Sequence, residues 1–456
     1  MARFFLILSV FFATWTAFLS AAEPAKDRCV VLISVDGLAG FYFDDPKAEM
    51  PTIRALAKRG ARASGMTCSF PTVTWPNHTT LVTGTSPAKH GVLGNNYLDR
   101  KTAEPVALIV DPVYDKDEIV KVPTIYDVAH QAGYKTAGVL WPASRNAKTF
   151  DWTVPDMGGD AWKEYGTPSW LDELRAAGIP VDSHGAWCKE KVCGVMRDWL
   201  YVRMADHVLQ HHAPNLVLIH LVELDHMQHQ FGPQTPEAYW AVSEADARVR
   251  DLVESVQRSK NADRTTIVVA SDHGFLPIEK DIRPNVLFKS LTPAGASAEA
   301  KPIVKSVAQG GGCMVYLLDP AKKGELLPKL RDRFQKLEGV ATVVEEADFA
   351  KYGLATPGSN DRFPDFWLSA KTGYCFTDSR EGEDPIVPRP AKGGTHGYLP
   401  DQPDLYATLV LSGRGIRPGA ELGLVRNIDV APTIAKLLDV KMPTAEGIVL
   451  EKALQE

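Results

Sequence analysis

Beyond its N-terminal segment, the 456-residue sequence lacks any apolar stretch long enough to span a bilayer. It has no block of Lys or Arg, and its formal net charge is −6, so binding to a nucleic-acid polymer through a basic surface is not expected. It has no CxxC repeat, so a thiolate zinc site is not expected. No internal repeat or low-complexity tract is present. The length suits one large domain with excursions, or two closely joined lobes.

The N-terminal segment has the pattern of a secretory signal peptide. Arg3 precedes the apolar run 4–19, and the small residues Ser20 and Ala22 fit a cleavage site after Ala22. We expect residues 1–22 to be removed, leaving a periplasmic or secreted protein with no stable membrane span. Cleavage removes one positive charge and changes the net charge from −6 to −7. The alternative is an uncleaved membrane anchor.

The six cysteines permit disulfides in an exported protein. Cys188 and Cys193 are the best candidates for a pair, because the loop between them is short. Cys29 and Cys313 lie on apolar, strand-like runs and are expected to be buried thiols.

The main part of the chain alternates between apolar runs and helical patterns. Helices are predicted over 52–59 and 124–131, and a further helix begins with Thr235 as its cap and Pro236 as its first residue. This alternation predicts an α/β fold with a mostly parallel central sheet and helices on both faces. Five apolar runs are rich in Val, Ile and Leu without alternation, so we interpret them as buried parallel strands. These runs are 29–35, 136–141, 216–221, 266–270 and 405–411.

Residues 285–390 have a different pattern, with strand, helix and strand separated by Gly, Pro and polar turns. We expect a small α+β insertion there, packed on a core formed by residues 23–284 and 391–456.

One stretch, CSFPTVTWPNHTTLVTG at residues 68–84, is crowded with hydroxyl groups. Turn chemistry and helix capping explain only some of them. A threonine hydroxyl is a weak nucleophile at neutral pH, so a nucleophilic threonine here needs a base or a metal supplied by the rest of the chain.

Asp and His residues follow the predicted strands, where open α/β sheets bind their ligands. Individually, each has an ordinary explanation as a turn, a capped loop or a pair on a helix surface. Together they are too many for one tetrahedral zinc ion but suit two zinc ions with three ligands each, and other divalent metals are possible. His226 is interpreted as a bystander, and His207, His211 and His212 as solvated helix residues. The candidate ligands are Asp36, Asp225, His229, Asp272, His273 and His396.

The chain resembles the nucleotide pyrophosphatase/phosphodiesterase branch of the alkaline phosphatase superfamily. The motifs LISVDGL, FPTVTWPNHTTLVTG, KHGVLGN, LVELDHMQH, ASDHG and GGTHGY occur in the family's order, and the resemblance runs from about residue 29 to 445. It implies an alkaline-phosphatase-like fold. Sulfatases of the superfamily need Cys or Ser followed by x-Pro-x-Arg, and this chain has Thr74 and His78 at those positions.

The resemblance also implies a role for each site residue. Thr74 matches the nucleophile, which shares one zinc with Asp36, Asp272 and His273. The second zinc is assigned to Asp225, His229 and His396. Asn95 matches the asparagine that holds a phosphoryl oxygen together with the backbone N–H of the nucleophile. Trp75 stands where the family usually has a phenylalanine that stacks on a nucleobase; its alternative role is to pack against the insertion without touching substrate.

The expected function is hydrolysis of a small phosphoryl ester, with nucleotides among the candidates, through a phosphothreonine intermediate at a two-zinc site. The presence of an asparagine at position 95 and an aromatic residue at position 75 favours diesters over monoesters as substrates. The alternatives are a phosphonate hydrolase or phosphomonoesterase of the same superfamily and, in a different class, a catalytically silent zinc-binding protein.

Overall fold

The computed structural model describes residues 27–109, 114–159, 161–189, 194–291 and 302–455. The predicted signal peptide and Cys193 lie outside these residues. The strands are β1 Cys29–Val35, β2 Ala61–Arg62, β3 Gly65–Thr67, β4 Asn96–Asp99, β5 Glu104–Ala107, β6 Thr136–Trp141, β7 Trp152–Pro155, β8 Leu216–Leu221, β9 Thr265–Ala270, β10 Leu276–Ile282, β11 Val304–Gln309, β12 Gly312–Leu317, β13 Val340–Glu345, β14 Phe366–Ala370, β15 Gly373–Phe376, β16 Ile386–Thr395, β17 Leu409–Gly413, β18 Ala420–Glu421 and β19 Leu424–Arg426.

The helices connect these strands and cover the central sheet. The predicted helices are confirmed: those over 52–59 and 124–131 begin within one residue of the expected position and end where expected, and α12 begins at Pro236. A threonine side chain caps the first turn of two of them, Thr124 before α6 and Thr235 before α12. The helices are α1 Phe41–Asp44, α2 Pro51–Arg59, α3 Thr74–Thr83, α4 Pro87–His90, α5 Lys116–Ile119, α6 Ile125–Gln131, α7 Trp162–Tyr165, α8 Pro168–Ala176, α9 His184–Trp187, α10 Gly194–His211, α11 Glu223–Phe231, α12 Pro236–Arg258, α13 Pro284–Leu287, α14 Lys323–Gln335 and α15 Val430–Leu438.

The central sheet has eight strands in the order β18-β2-β17-β9-β1-β8-β6-β7. Strands β7, β6, β8, β1 and β9 are parallel, which confirms the expected mostly parallel sheet. Alternate side chains of β1 enter two different cores: Val31 and Ile33 pack with the cluster that includes α10 and α12, whereas Val30 and Leu32 pack with the cluster that includes α6 and α15. The sheet is therefore covered on both faces.

The last predicted strand is wrong in both its bounds and its direction. Residues 403–405 form a 3-10 turn, the strand begins only at Leu409, and it pairs antiparallel with β9. A buried apolar run is expected in either strand direction when both faces of the sheet are covered, so composition does not encode the direction.

The region predicted to be an insertion contains a four-stranded antiparallel sheet in the order β11-β12-β14-β13, with α14 packed against it. The bounds 285–390 remain a prediction. Strands β10, β15 and β16 form a separate three-stranded sheet, and β16 leads into the loop that carries His396. Cys29 and Cys313 are buried free thiols, as expected. Within the described residues, no helix is both long and apolar enough to cross a membrane.

Candidate active site

The first predicted ligands meet at the carboxyl edge of the central sheet. Asp36 directly follows β1, and Asp272 and His273 come two and three residues after the end of β9, the neighbouring parallel strand. Ser34 of β1 is in register with Ala270 of β9, so the two chain segments leave the sheet side by side. This is where open α/β sheets bind ligands.

We call Asp36, Asp272 and His273 the inner group. Their ligand atoms lie within 4.8 Å of one another. His273 Nε2 is 3.3 Å from Asp36 Oδ1 and 3.1 Å from Asp272 Oδ2. All three side chains are buried, so the group is closed to bulk water.

We call Asp225, His229 and His396 the outer group. Helix α11 begins two residues after the end of β8 and places Asp225 and His229 one turn apart, with 3.4 Å between Oδ1 and Nε2. His396 Nε2 lies 3.1 Å from His229 Nε2 and 3.6 Å from Asp225 Oδ1. The rings of His396 and His273 stack at 3.5 Å, which joins the two groups into one cluster.

The donor atoms of this cluster have the chemistry of a metal site. Each of the three histidines donates its Nδ1–H to a backbone carbonyl, so each Nε2 keeps a lone pair directed into the cluster. A buried polar atom without a partner is costly, and a cation bound at the centre removes that cost. Four of the candidate metal-ligand atoms are buried without a hydrogen-bond partner among the described residues: Asp36 Oδ1, Asp225 Oδ1, Asp272 Oδ2 and His273 Nε2.

Burial also shifts the pKa of these groups in the direction expected for an ion-free metal site. It raises the pKa of Asp36 well above its usual range, with Asp225 adding to the rise, and it does the same to Asp272, with Asp36 adding to the rise. Burial lowers the pKa of His273 well below its usual range and lowers that of His396 to about 4. The carboxylates therefore repel one another unless a proton or a cation lies between them, and these two imidazoles stay neutral, as metal ligands must be.

Thr74 is the first residue of α3, and contacts on both sides of it reach the cluster. Two residues earlier, the Thr72 carbonyl accepts a hydrogen bond of 2.8 Å from His396 Nδ1. One turn later, His78 Nδ1 lies 3.5 Å from Asp272 Oδ2 and 2.9 Å from the carbonyl of Thr74 itself. The chain thus brings the predicted nucleophile close to residues of both the inner and the outer group.

Asn95 reaches the same helix terminus. Its Oδ1 accepts a hydrogen bond of 2.9 Å from the backbone N–H of Trp75, and its own backbone N–H donates to Gln309 Oε1 at 3.0 Å. Since the amide oxygen is engaged, the amide N–H groups of Asn95 are its remaining donors. This orientation suits a residue that donates to an anionic oxygen beside Thr74.

The Trp75 ring is only 1% exposed and packs in a core with residues of the four-stranded sheet β11-β12-β14-β13, including Val307 and Met314. A ring buried in this way offers no free face to a nucleobase. The structure therefore favours the packing role of Trp75 over base stacking.

Sequence reasoning missed two histidines that support the inner group. His220 Nε2 lies 2.9 Å from Asp36 Oδ2, and His78 Nε2 lies 2.8 Å from Ser34 Oγ while its Nδ1 faces Asp272. His220 interrupts the otherwise apolar strand LVLIHL, and that interruption was the available signal. His226, interpreted as a bystander, lies 3.5 Å from Glu223, outside both groups.

The model of the family described as type I phosphodiesterase / nucleotide pyrophosphatase matches residues 30–399. The chain belongs to this family. It is therefore a hydrolase of the phosphodiesterase/pyrophosphatase type, within the alkaline phosphatase superfamily, as the ordered motifs indicated. Neither a phosphonate hydrolase nor a silent zinc-binding protein is favoured by this match.

Two curated relatives extend over most of this phosphodiesterase family member. An uncharacterized pyrophosphatase/phosphodiesterase of Schizosaccharomyces pombe is 23% identical over 430 residues, covering 92% of this chain and 78% of the relative. Human ectonucleotide pyrophosphatase/phosphodiesterase family member 7 is 27% identical and covers 92% of this chain and 81% of the relative.

A solved structure confirms the fold of this phosphodiesterase family member. Mouse ectonucleotide pyrophosphatase/phosphodiesterase 5, an inactive variant in complex with AMP, superposes with a TM-score of 0.69 at 18% identity, covering 94% of this chain and all of that chain. At this identity the likeness shows the alkaline-phosphatase-like architecture and no more.

Proposed function

We propose that this chain is an exported, metal-dependent phosphodiesterase and nucleotide pyrophosphatase that uses Thr74 as its nucleophile. The observation that carries the proposal is the convergence of six Asp and His donors, four of them with a buried unpaired atom, beside the helix that starts at Thr74. Export rests on the signal-peptide pattern that ends at Ala22.

The donor set fits two zinc ions, one held by the inner group and one by the outer group. Carboxylate oxygen and neutral imidazole nitrogen are ordinary zinc ligands, and three protein ligands leave a position open on each ion. When bound, such ions supply Lewis acidity that makes a coordinated hydroxyl or water nucleophilic near neutral pH and stabilises oxygens that gain charge.

The reaction proceeds in two successive displacements at phosphorus, with Thr74 as the nucleophile of the first and the leaving group of the second. In the first, the Oγ–P bond forms as the bond from phosphorus to the leaving oxygen breaks, and Thr74 loses its proton while the leaving group gains one. In the second, water attacks the phosphothreonine, its oxygen bonds to phosphorus, and the Oγ–P bond breaks to restore Thr74. The two steps together add one water across the phosphoryl ester.

Chain atoms beside Thr74 hold the phosphoryl oxygens during both steps. Thr74 begins α3, so its backbone N–H has no intrahelical partner and points out of the positive end of the helix. The amide N–H groups of Asn95 donate to the same oxygens, because its Oδ1 already accepts from the backbone N–H of Trp75. Donors fixed in advance in this way stabilise charge that develops in the transition state.

The substrate we propose is a small phosphoryl ester, with a diester preferred and a nucleotide as the natural class. The family membership and the AMP bound to the mouse relative support a nucleotide. The burial of Trp75 leaves base stacking to other residues.

The test compares turnover of a nitrophenyl phosphodiester, a nitrophenyl phosphomonoester and a nitrophenyl phosphonate by one zinc-loaded preparation. We expect the diester to be turned over fastest. Faster turnover of the monoester or the phosphonate would replace the proposed substrate class, and zinc binding without turnover of any of the three would support the silent zinc-binding alternative.

A further inference from the structure

A second group of metal-ligand side chains lies away from the active site. His207 and His212, at the C-terminal end of α10, meet Glu173 of α8, and their ligand atoms lie within 4.8 Å of one another. His212 Nε2 is 2.6 Å from Glu173 Oε2. The sequence suggested solvated helix residues, but His207 and His212 are both half-buried.

This group is held in place by the surrounding structure. The ring of His212 stacks on Trp152, with 4.5 Å between centroids and an interplanar angle of 28°. His207 Nδ1 is buried and has no hydrogen-bond partner within the described part of the chain. A half-buried imidazole with an unpaired ring nitrogen, next to a carboxylate and a second imidazole, is an arrangement that a cation stabilises.

The group lies at the opposite edge of the central sheet from the active site. His212 precedes the amino end of β8, whereas Asp225 and His229 follow its carboxyl end. Six residues of extended strand separate the two edges by about 20 Å. One ion cannot serve both places, and substrate bound at Thr74 does not reach His212.

We propose that Glu173, His207 and His212 bind one divalent transition-metal ion, with zinc as the preferred metal, at a site separate from the catalytic centre. Two imidazoles and one carboxylate are a donor set of intermediate softness that suits zinc. The exposed His211, whose ring lies 4.5 Å from that of His207, or a water can fill the fourth position.

Binding requires only a small rearrangement. Tetrahedral zinc with ligand distances of about 2.1 Å keeps its ligand atoms about 3.4 Å apart, so Glu173 and His212 must separate slightly from their direct contact. The Glu173 side chain is 42% exposed and can make that movement. The ion then ties the end of α8 to the end of α10, a structural role that leaves the chemistry at Thr74 unchanged.

The test counts zinc per chain by elemental analysis of the full-length protein after saturation with zinc and desalting. The variants are Glu173→Gln and His207→Ala. The matched control is His130→Ala, which removes a part-exposed histidine that faces Asp151 at 3.8 Å and belongs to none of the three-ligand groups within the described residues.

We expect Glu173→Gln and His207→Ala each to carry one ion fewer than the wild type and the control, with equal turnover of a nitrophenyl phosphodiester in all four proteins. The rise in thermal midpoint on adding zinc should be smaller in these two variants. Because the count is a difference between variants, it holds for any number of ions at the catalytic centre. Equal zinc content in all four proteins overturns the proposal. Glu173→Gln is an isosteric change at a part-exposed side chain, so it keeps the test valid should His207→Ala fold poorly.

Discussion

The inner and outer groups of the active site use similar ligands but are supported in different ways. The inner group is buried, and one of its carboxylates, Asp36, is held by another side chain, since its Oδ2 lies 2.9 Å from His220 Nε2, while Asp272 Oδ1 accepts a hydrogen bond from the backbone N–H of Gly37. The outer group is more open, since the His229 side chain is 42% exposed, and its two histidines are held by backbone carbonyls. A point mutation can therefore remove a side-chain contact that holds the inner group. The contacts that hold the two outer histidines come from the backbone, which a side-chain substitution leaves in place.

The largest effect is expected from Thr74, whose neighbours in the chain, Thr72 and His78, contact the outer and the inner group. Thr74→Ala should lower turnover by several orders of magnitude, because no covalent intermediate can form, while the metal content stays unchanged. Thr74→Ser should keep substantial activity. Turnover of Thr74→Ala near that of the wild type would mean that water attacks phosphorus directly and that the threonine is structural.

Substitution of a ligand in either group should change the zinc content at that group's site alone. The wild type should carry about two zinc ions at the catalytic centre. His396→Ala should lose mainly the outer ion and Asp272→Asn mainly the inner one, as measured by elemental analysis after zinc reconstitution. His226→Ala, on the same helix as two outer ligands but outside both groups, should lose neither. A catalytic centre that takes up one ion or none would contradict the two-zinc assignment.

The side-chain support of the inner group gives the next largest effect. His220→Phe keeps an aromatic ring in the buried strand but removes the contact with Asp36 Oδ2. Loss of such a partner costs about 10–100-fold in metal affinity or activity. Zinc titration should show this weakening at the inner site and little change at the outer site, which serves as the control within the same protein. Equal weakening at both sites would remove the distinction between the groups.

The two groups should also differ in how their zinc affinity depends on pH. Burial raises the pKa of Asp36 and Asp272, so zinc must displace a proton from the ion-free inner group wherever the pH lies below the raised pKa. Its affinity should therefore rise with pH, by about tenfold per pH unit for each proton released, up to the raised pKa. Burial lowers the pKa of His396 to about 4, so this outer ligand is already neutral near pH 7 and releases no proton.

Calorimetric titration near neutral pH measures this difference when it is repeated in two buffers of different ionisation enthalpy. The His396→Ala variant reports the inner site and Asp272→Asn the outer site. We expect more protons released from the inner site, and equal release from both would refute the comparison.

The smallest effect on substrate choice is expected at Trp75, which follows Thr74 in the chain but has a buried ring. Trp75→Ala should cost about 3–5 kcal/mol of stability as a large-to-small core change. It should lower kcat/KM for a nucleotide and for a nitrophenyl methyl diester by similar factors. A loss of about tenfold or more on the nucleotide alone would show that the ring stacks on a base after all.

The sequence by itself determined the strands β1, β6 and β8, the bounds of α6 to within one residue, the cap of α12, and the six Asp and His residues beyond the strand ends. These features are local, because apolar runs, capping residues and the residues that follow a strand can be read within a few positions. The ordered motifs added the family and the role expected of Thr74.

Only the tertiary structure decided the contacts between distant segments. His220 and Asp36 are 184 residues apart in the chain, and they meet because β1 and β8 are parallel neighbours. Three other features also depend on how distant segments pack: the burial of Trp75 against the four-stranded sheet, the antiparallel direction of β17 and the contact of His212 with Glu173. Hydrophobic burial fixes which surfaces of a strand or helix face inward, but the neighbour that each surface meets depends on how the whole chain packs.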